Sequence, residues 1–402
     1  MSDVSMMIHG TRFHFWSGVR INLNIDAVAT ISFNAPFDHE APGFKRNFAP
    51  FGFAPVAIDV DDQRLFTGTM LDVSPVIGED GKKEISVNAY AKCGVLQDCT
   101  APPESMPLEF NKLNLLDIAR KMASYFGVGV VFNADPGPVF DRVACDPDKK
   151  VLEFLADLAK QRGFVIGSDE NGNLLFSKTS IGGIVAKLEQ GVSPLLSVSP
   201  TFNPQEYYSH ITGLSPVEVA KPAAKSTAKV KKDDKTDDKT DEKAGQGTTK
   251  ATEKAGQAEV KKETKKEEKT KKEKQKPKPT TYKKFTAIDE APVYRPLVFK
   301  IDDAEGATDV ETATKAKMAR MLGNMCTYAI TVSTWFDASG DLWRPNTKIK
   351  LKAPDSMIYD FFEFDIKSVE LSADENSQQA NLTLCLPGSF TGEPPEIFPW
   401  EL

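Results

Sequence analysis

The sequence predicts an α+β fold: two antiparallel β-rich blocks, a duplicated helix-strand α/β module between them, and a disordered charged insertion. Three observations carry this. The stretch from Leu113 to Phe176 reads as one unit written twice. Residues 1 to about 100 and 285 to 390 alternate apolar and polar side chains between turn signals, the period-two pattern of half-buried strands. Between Val217 and Lys284 the composition changes abruptly to lysine and acid.

In the first block, Val19 to Ile25 alternates, and Ala29 to Phe33 continues after a short break. Ala57 to Val60, the polar stretch Asp61-Asp62-Gln63-Arg64 and Leu65 to Val73 read as a hairpin. A second turn at Glu79-Asp80-Gly81-Lys82 leads into Glu84 to Tyr90. The Pro, Gly and Phe-rich segment Ala35 to Pro55 is expected as a long loop. Evenly spaced hairpins of this kind fit a small barrel or curled sheet whose edges must be covered.

The doubled unit has copies from Leu115 to Val128 and from Val151 to Phe164. With Gly127 set against Gly163, Leu115 meets Val151, Ile118 meets Phe154, Ala119 meets Leu155, Met122 meets Leu158 and Ala123 meets Ala159. Apolar residues at i, i+3, i+4 and i+7 make one face of an amphipathic helix. A glycine ends each copy, where a left-handed C-terminal cap requires it, and strand-like runs follow at Val128 to Phe132 and Phe164 to Gly167. Asn114 and Asp148 are the expected N-caps, because a short side-chain oxygen accepts from the first unpaired amides. Asp169 to Asn173 has some likeness to a calcium loop, but position one would be Gly167 and no terminal Glu follows, so a hairpin turn is expected.

From Lys221 to Lys284 there are 22 Lys against 12 Asp plus Glu, a net of +10, so the rest of a chain of net charge −7 carries −17. With Tyr282 its sole aromatic, such a segment cannot bury enough apolar area to offset its ordering entropy. Disorder is expected, with Glu259 to Lys276 able to form a solvated helix through i, i+4 pairs. Mixed signs and the absence of interleaved aromatics argue against a nucleic-acid arm.

In the last block, Pro296 to Ile301 reads as a strand. Ala307 to Leu322 reads as a helix with Ala313, Ala316, Lys317 and Met318 on one side. Tyr328 to Val332, the turn Asp337 to Asp341, Thr347 to Ala353, Phe361 to Leu371 and Gln379 to Leu386 complete the second β-rich set. The tail from Gly392 is too proline-rich for regular structure, and Phe398 and Trp400 are expected to anchor on a neighbour. The expected division is therefore 1–104, 105–180, a connecting β segment at 181–216, the insertion at 217–284, 285–390 and the tail 391–402.

Composition narrows the function. A 402-residue chain exceeds one ordinary domain. Five cysteines (Cys93, Cys99, Cys145, Cys326 and Cys385) contain no Cys-x-x-Cys pair, which speaks against a zinc site or disulfide framework and for synthesis in a reducing cytoplasm. No run approaches the roughly 20 apolar residues that span a bilayer, and the N-terminus lacks a basic n-region, so neither membrane insertion nor signal-directed export is expected. Phosphate-binding glycine loops, Gly-x-Ser-x-Gly and His-Glu-x-x-His are absent. Of the four histidines, His9, His14 and His39 could meet in space, but no carboxylate pattern supports a metal there, and His210 stands apart. Cys145 beside Asp146 has no nearby histidine as base and reads as a buried thiol. No catalytic, cofactor-binding or metal-ligating residue is assigned, no cofactor is expected, and the chain is expected not to be an enzyme.

The order of parts resembles the baseplate hub (tail protein) family of Mu-like contractile-tailed bacteriophages. The residues that carry the likeness are Leu96, Asp98, Cys99, Thr100 and Ala101 at the end of the first block, and Asp117-Ile118-Ala119-Arg120 with Gly127 and Leu152 to Gly163 in the module. Gly340, Leu342, Trp343, Pro345 and Asn346 match later, as does Pro387-Gly388-Ser389-Phe390. The likeness covers most of 1–216 and 290–392; the Lys-rich insertion and the Pro-Trp tail depart from it. It implies a structural protein of the virion tail baseplate. Three subunits, each with two tube-like antiparallel β-barrel domains, would form a pseudo-sixfold ring. One side of that ring would cap the tail tube protein and the other would seat the central spike protein, with the tape-measure protein as a further partner and no sequence-specific nucleic acid. Two rivals are a spike-base subunit of a type VI-like injection system, expected to carry a β-helical needle downstream of Phe390, and a peptidoglycan-binding or hydrolysing tail protein, of which the helix-strand copies are distantly reminiscent.

Overall fold

The computed structural model describes residues 3–13, 16–79, 81–178, 182–216, 282–288, 291–301, 310–390 and 397–401. Met1–Val217 and Tyr282–Leu402 make one compact unit, and the other, Glu218–Thr281, lies outside the described residues. So do the expected insertion, apart from Tyr282 to Lys284, the expected helix at Glu259 to Lys276, and tail residues 391–396.

The first block contains β1 (Val4–Ile8), β2 (Thr11–Phe13), β3 (Gly18–Asn24), β4 (Thr30–Pro36), α1 (Phe44–Asn47), β5 (Pro55–Val60), β6 (Gln63–Ile77) and β7 (Lys83–Ala91). They pair antiparallel in the order β3-β4-β7-β6-β5-β1-β2. Both expected hairpins form. The expected loop 35–55 is not all loop: Phe44 and Phe48 are drawn into the core beside Phe13 and Phe37, which winds one helical turn between them.

The module follows with α2 (Val95–Asp98), β8 (Glu109–Leu113), α3 (Leu115–Ser124), β9 (Val130–Phe132), β10 (Phe140–Ala144), α4 (Val151–Gln161), β11 (Val165–Ser168) and β12 (Leu174–Ser177). The buried residues of α3 are Leu115, Ile118, Ala119, Met122 and Ala123, and those of α4 are Val151, Phe154, Leu155, Leu158 and Ala159. These are the two aligned stripes. Gly127 (φ 63°) and Gly163 (φ 71°) both sit in the left-handed region. Val128 N–H donates to the Ala123 carbonyl and Gly127 N–H to that of Ser124, and Phe164 and Gly163 repeat the pair on Ala159 and Lys160. Both helices therefore end in the same Schellman geometry.

Their starts differ. The Asn114 side chain accepts from Asp117 N–H at 2.8 Å, as expected. Asp148 does not cap α4; the cap position is Lys150, without a side-chain bond. The reason is tertiary: Val151 N–H donates to the Cys99 carbonyl at 3.0 Å, so the end of the first block supplies the acceptor. β9 and β11 meet across one strand, β12, which is parallel to β9 and antiparallel to β11. The antiparallel pair β8–β10, with α3 and β9 between its strands in the chain, was not legible in the sequence.

The remainder comprises β13 (Ile184–Glu189), β14 (Leu195–Phe202), β15 (His210–Pro216), β16 (Tyr282–Ile288), β17 (Pro296–Lys300), α5 (Val310–Met325), β18 (Cys326–Val332), β19 (Lys348–Ala353), β20 (Ile358–Asp374) and β21 (Gln378–Cys385). In the segment expected to be a connector, β13 pairs with β19 and β14 with β18, so both are strands of the last block's sheet. β15, β16 and β17 form a separate three-stranded sheet against which α5 packs. On α5 the buried side includes Val310, Ala313, Thr314, Ala316 and Ala319, while Lys317, read on one side with Ala313, Ala316 and Met318, is exposed.

The two β blocks are joined. β20 is 17 residues long. Its first part pairs with β19, its second with β21 on one side and with β3 on the other, from Ser368↔Asn24 to Asp374↔Gly18. One 13-stranded sheet results, and among the described residues no ladder closes either block into a barrel. The main buried core runs through both blocks and the module.

Candidate assembly surfaces

Potential chemistry is dispersed. Among the described residues no group of three or more His, Cys, Asp or Glu is placed to hold a metal. His9 occupies the β1–β2 turn at φ 49°, His39 lies 4.0 Å from Glu40 and stacks on Phe37, and His210 contacts Ser209 Oγ at 3.0 Å. His14 lies outside the described residues. Cys93, Cys145, Cys326 and Cys385 are buried free thiols. Burial pushes Cys93 and Cys326 up to about 12 and Cys145 up to about 11, the reverse of an activated nucleophile. The Asp169 turn is a hairpin: its Oδ1 accepts from Asn171 and Asn173 N–H, and Asp337 holds the β18–β19 connection the same way through Ser339 and Asp341.

The residues behind the family likeness turn out to be joints. Leu96 is fully buried, the Asp98 carbonyl accepts from Lys150 Nζ, Cys99 supplies the acceptor at the start of α4, and Thr100 bridges to Lys150. Tyr90 is pushed up to about 12, first by burial and then by its hydrogen bond to Asp98. Gly340 (φ 88°) turns the loop that buries Leu342 and Trp343, whose indole donates to the Thr334 carbonyl at 3.0 Å. Asn346 N–H donates to the Ile366 carbonyl, which pins that loop to β20. Phe390 is buried. Each residue fixes one segment against another, and none converges on a reacting centre.

The surfaces that could take a partner are sheet edges and exposed apolar side chains. Among the described residues β14 has a ladder partner on one side only, β18, and it exposes Leu196 and Phe202. β13 likewise pairs only with β19. At the far end of the sheet, β2 has three residues, too short to template another strand. The tail covers part of β14: Phe398 stacks on Trp400 at 4.8 Å, and Trp400 meets Phe202 edge-on at 5.5 Å. Phe51 and Phe53 form a second surface, 91% and 63% exposed and both at positive φ. That conformation costs a bulky residue on the order of 1–2 kcal/mol. Two phenyl rings held in water by a strained turn are the kind of feature found where a surface meets something else. Ile288 on β16, Val298 on β17 and Tyr294 just before β17 are also exposed.

Residues 93–178 match the family described as baseplate hub protein gp44-like, second domain, in agreement with the resemblance read from the sequence. No curated protein matches the chain. Among solved structures, the 43 kDa tail protein of prophage MuSo2 from Shewanella oneidensis is 21% identical with a TM-score of 0.70, over 97% of this chain and 99% of that one. The tail protein from Neisseria meningitidis MC58 is 16% identical with a TM-score of 0.71, over 98% and 99%. An E. coli type VI secretion component, described as structurally similar to T4 tail proteins gp27 and gp5, is 11% identical with a TM-score of 0.53, over 98% and 80%.

Proposed function

We propose, from the match of residues 93–178 to the gp44-like baseplate hub second domain, that the whole chain is a structural subunit of a phage tail baseplate hub. In this reading three copies make a ring that joins the tail tube to the central spike, without catalysis. The observation that carries it is the coincidence of the hub domain with a fold matched end to end in tail proteins of this size. The free sheet edges support it. Among the described residues the edge strands β13 and β14 of the 13-stranded sheet leave backbone groups for a neighbour. A net charge of −17 outside 221–284 suits a lumen that does not grip DNA, because it repels phosphate.

Native mass spectrometry of the full chain tests the ring. The expected mass is three times the 44.2 kDa chain, alone or on addition of the spike protein. A monomer under both conditions at micromolar concentration rejects it. Likeness to the type VI component gives a second reading, a spike base in an injection system of that type; co-purification with a type VI tube protein and not a phage tube protein would favour it. Clear lysis in a peptidoglycan zymogram would overturn both.

A further inference from the structure

Exposed apolar side chains in strained turns occur at two tips of the fold, and the charges beside them have opposite signs. One tip is the loop between α1 and β5, where Phe51 and Phe53 stand in water at φ 60° and 45°. Lys45 and Arg46, on α1 at the start of the same loop, are exposed and make no ion pair among the described residues. The acids that precede them are engaged locally. Asp38 Oδ1 accepts from Glu40 N–H at 3.0 Å, and Glu40 lies 4.0 Å from His39.

The other tip joins β19 to β20. Met357, at φ 62°, is 51% exposed and Tyr359 52%. Asp355 and Asp360 flank them, also exposed and also without an ion pair among the described residues. Gln190, just after β13, fixes this turn: its Nε2 donates to Asp355 Oδ2 at 2.8 Å and its Oε1 accepts from Asp355 N–H at 3.2 Å. Lys352, the cation nearest in sequence, is taken by Glu189 at 3.3 Å.

We propose that the Phe51–Phe53 tip of one copy of this chain docks on the Met357–Tyr359 tip of the next, with Lys45 and Arg46 facing Asp355 and Asp360. This rests on the ring reading above and names the contact between its subunits. Phenyl rings pack well against a thioether and a phenol, and unpaired charges of opposite sign beside them set the register. Positive φ in bulky residues is strain, which collects where a surface meets a partner. Topology makes the partner a second copy. The Met357 tip opens β20, whereas β3 pairs only with the far half of that strand, Ser368 to Asp374, and the Phe51 tip enters β5, four strands beyond β3. The path of the sheet thus separates the two complements within a chain, and joining unlike surfaces head to tail generates a ring.

Phe51→Asn with Phe53→Asn is the discriminating variant, because Asn tolerates the left-handed region that strains Phe. Its urea midpoint should be unchanged or raised. The concentration at which native mass spectrometry finds the trimer, alone or with the spike protein, should rise at least about tenfold, as the loss of an aromatic anchor gives. Lys45→Glu with Arg46→Glu, and Asp355→Lys with Asp360→Lys, should each weaken the trimer, and all four in one chain should restore it. Lys45→Glu with Asp360→Lys makes the same comparison if losing the Asp355–Gln190 bond disturbs the turn. A trimer indifferent to the Asn variant, or no recovery on full reversal, overturns the proposal and leaves the ring standing. A wild-type chain that is monomeric under both conditions rejects ring and contact together.

Discussion

Replacing residues 217–281 with a two-residue Asn-Gly turn should leave the described fold intact and make it more stable. Pro216 and Tyr282 are direct partners in the antiparallel β15–β16 ladder, so their Cα atoms lie about 4.5–5.5 Å apart. A two-residue turn spans that gap in the favoured hairpin geometry. If the 65 replaced residues are a solvated coil, closing them costs (3/2)RT ln(65/2), about 3 kcal/mol more than closing the short turn. The deletion also removes 20 Lys and 13 acidic residues, taking the net charge from −7 to −14. At physiological salt that self-repulsion is screened beyond about 8 Å and takes back only part of the gain. Urea unfolding followed by the fluorescence of the buried Trp335 and Trp343 reads the difference. A midpoint shifted upward, by up to about 3 kcal/mol in stability, fits the reasoning. A loss of more than about 1 kcal/mol refutes it, because it would mean that the segment packs on the fold and contributes more than its closure costs.

Asn114→Ala should cost about 1 kcal/mol of stability, while Asp148→Ala should stay within about 0.5 kcal/mol; equal losses in urea titrations would contradict the two different helix starts. Gly163→Ala should cost about 1 kcal/mol, because only its positive φ is at stake and its Cβ enters open space. Gly172→Ala adds a clash 2.4 Å from the Thr67 carbonyl oxygen and should lose about 2–4 kcal/mol, measured the same way. Burial pushes the Cys385 thiol up to about 12, as it does those of Cys93 and Cys326. A thiol pKa raised in the fold stabilises it below the unfolded value of about 8.5, and that contribution fades as pH climbs toward about 12. Native thiol titration at pH 8 should therefore find Cys99, the half-buried one, reacting first, with the others following only in denaturant.

How legible each part was depends on the range of the interaction that fixes it. The two apolar stripes, Leu115 to Ala123 and Val151 to Ala159, emerged as read because the spacing of a helical face is covalent. Gly127 and Gly163 were legible because a left-handed helix end excludes most other residues locally. Asp148 misled, since it met the local rule for a cap while the Cys99 carbonyl, distant in sequence, took the amide at stake. Lys317 and the α1 turn inside 35–55 misled for the same reason, the packing partner being elsewhere in the chain.

By itself, then, the sequence determined many of the strands, the paired helices and their glycine ends. Only tertiary structure decided that β3 pairs with β20, that β13 and β14 belong to the last block, and that β9 and β11 share β12. Alternation tells a strand which face to bury, but both of its edges offer the same backbone groups to any partner. The choice among partners rests on the shape and burial of the whole sheet, which no local stretch contains.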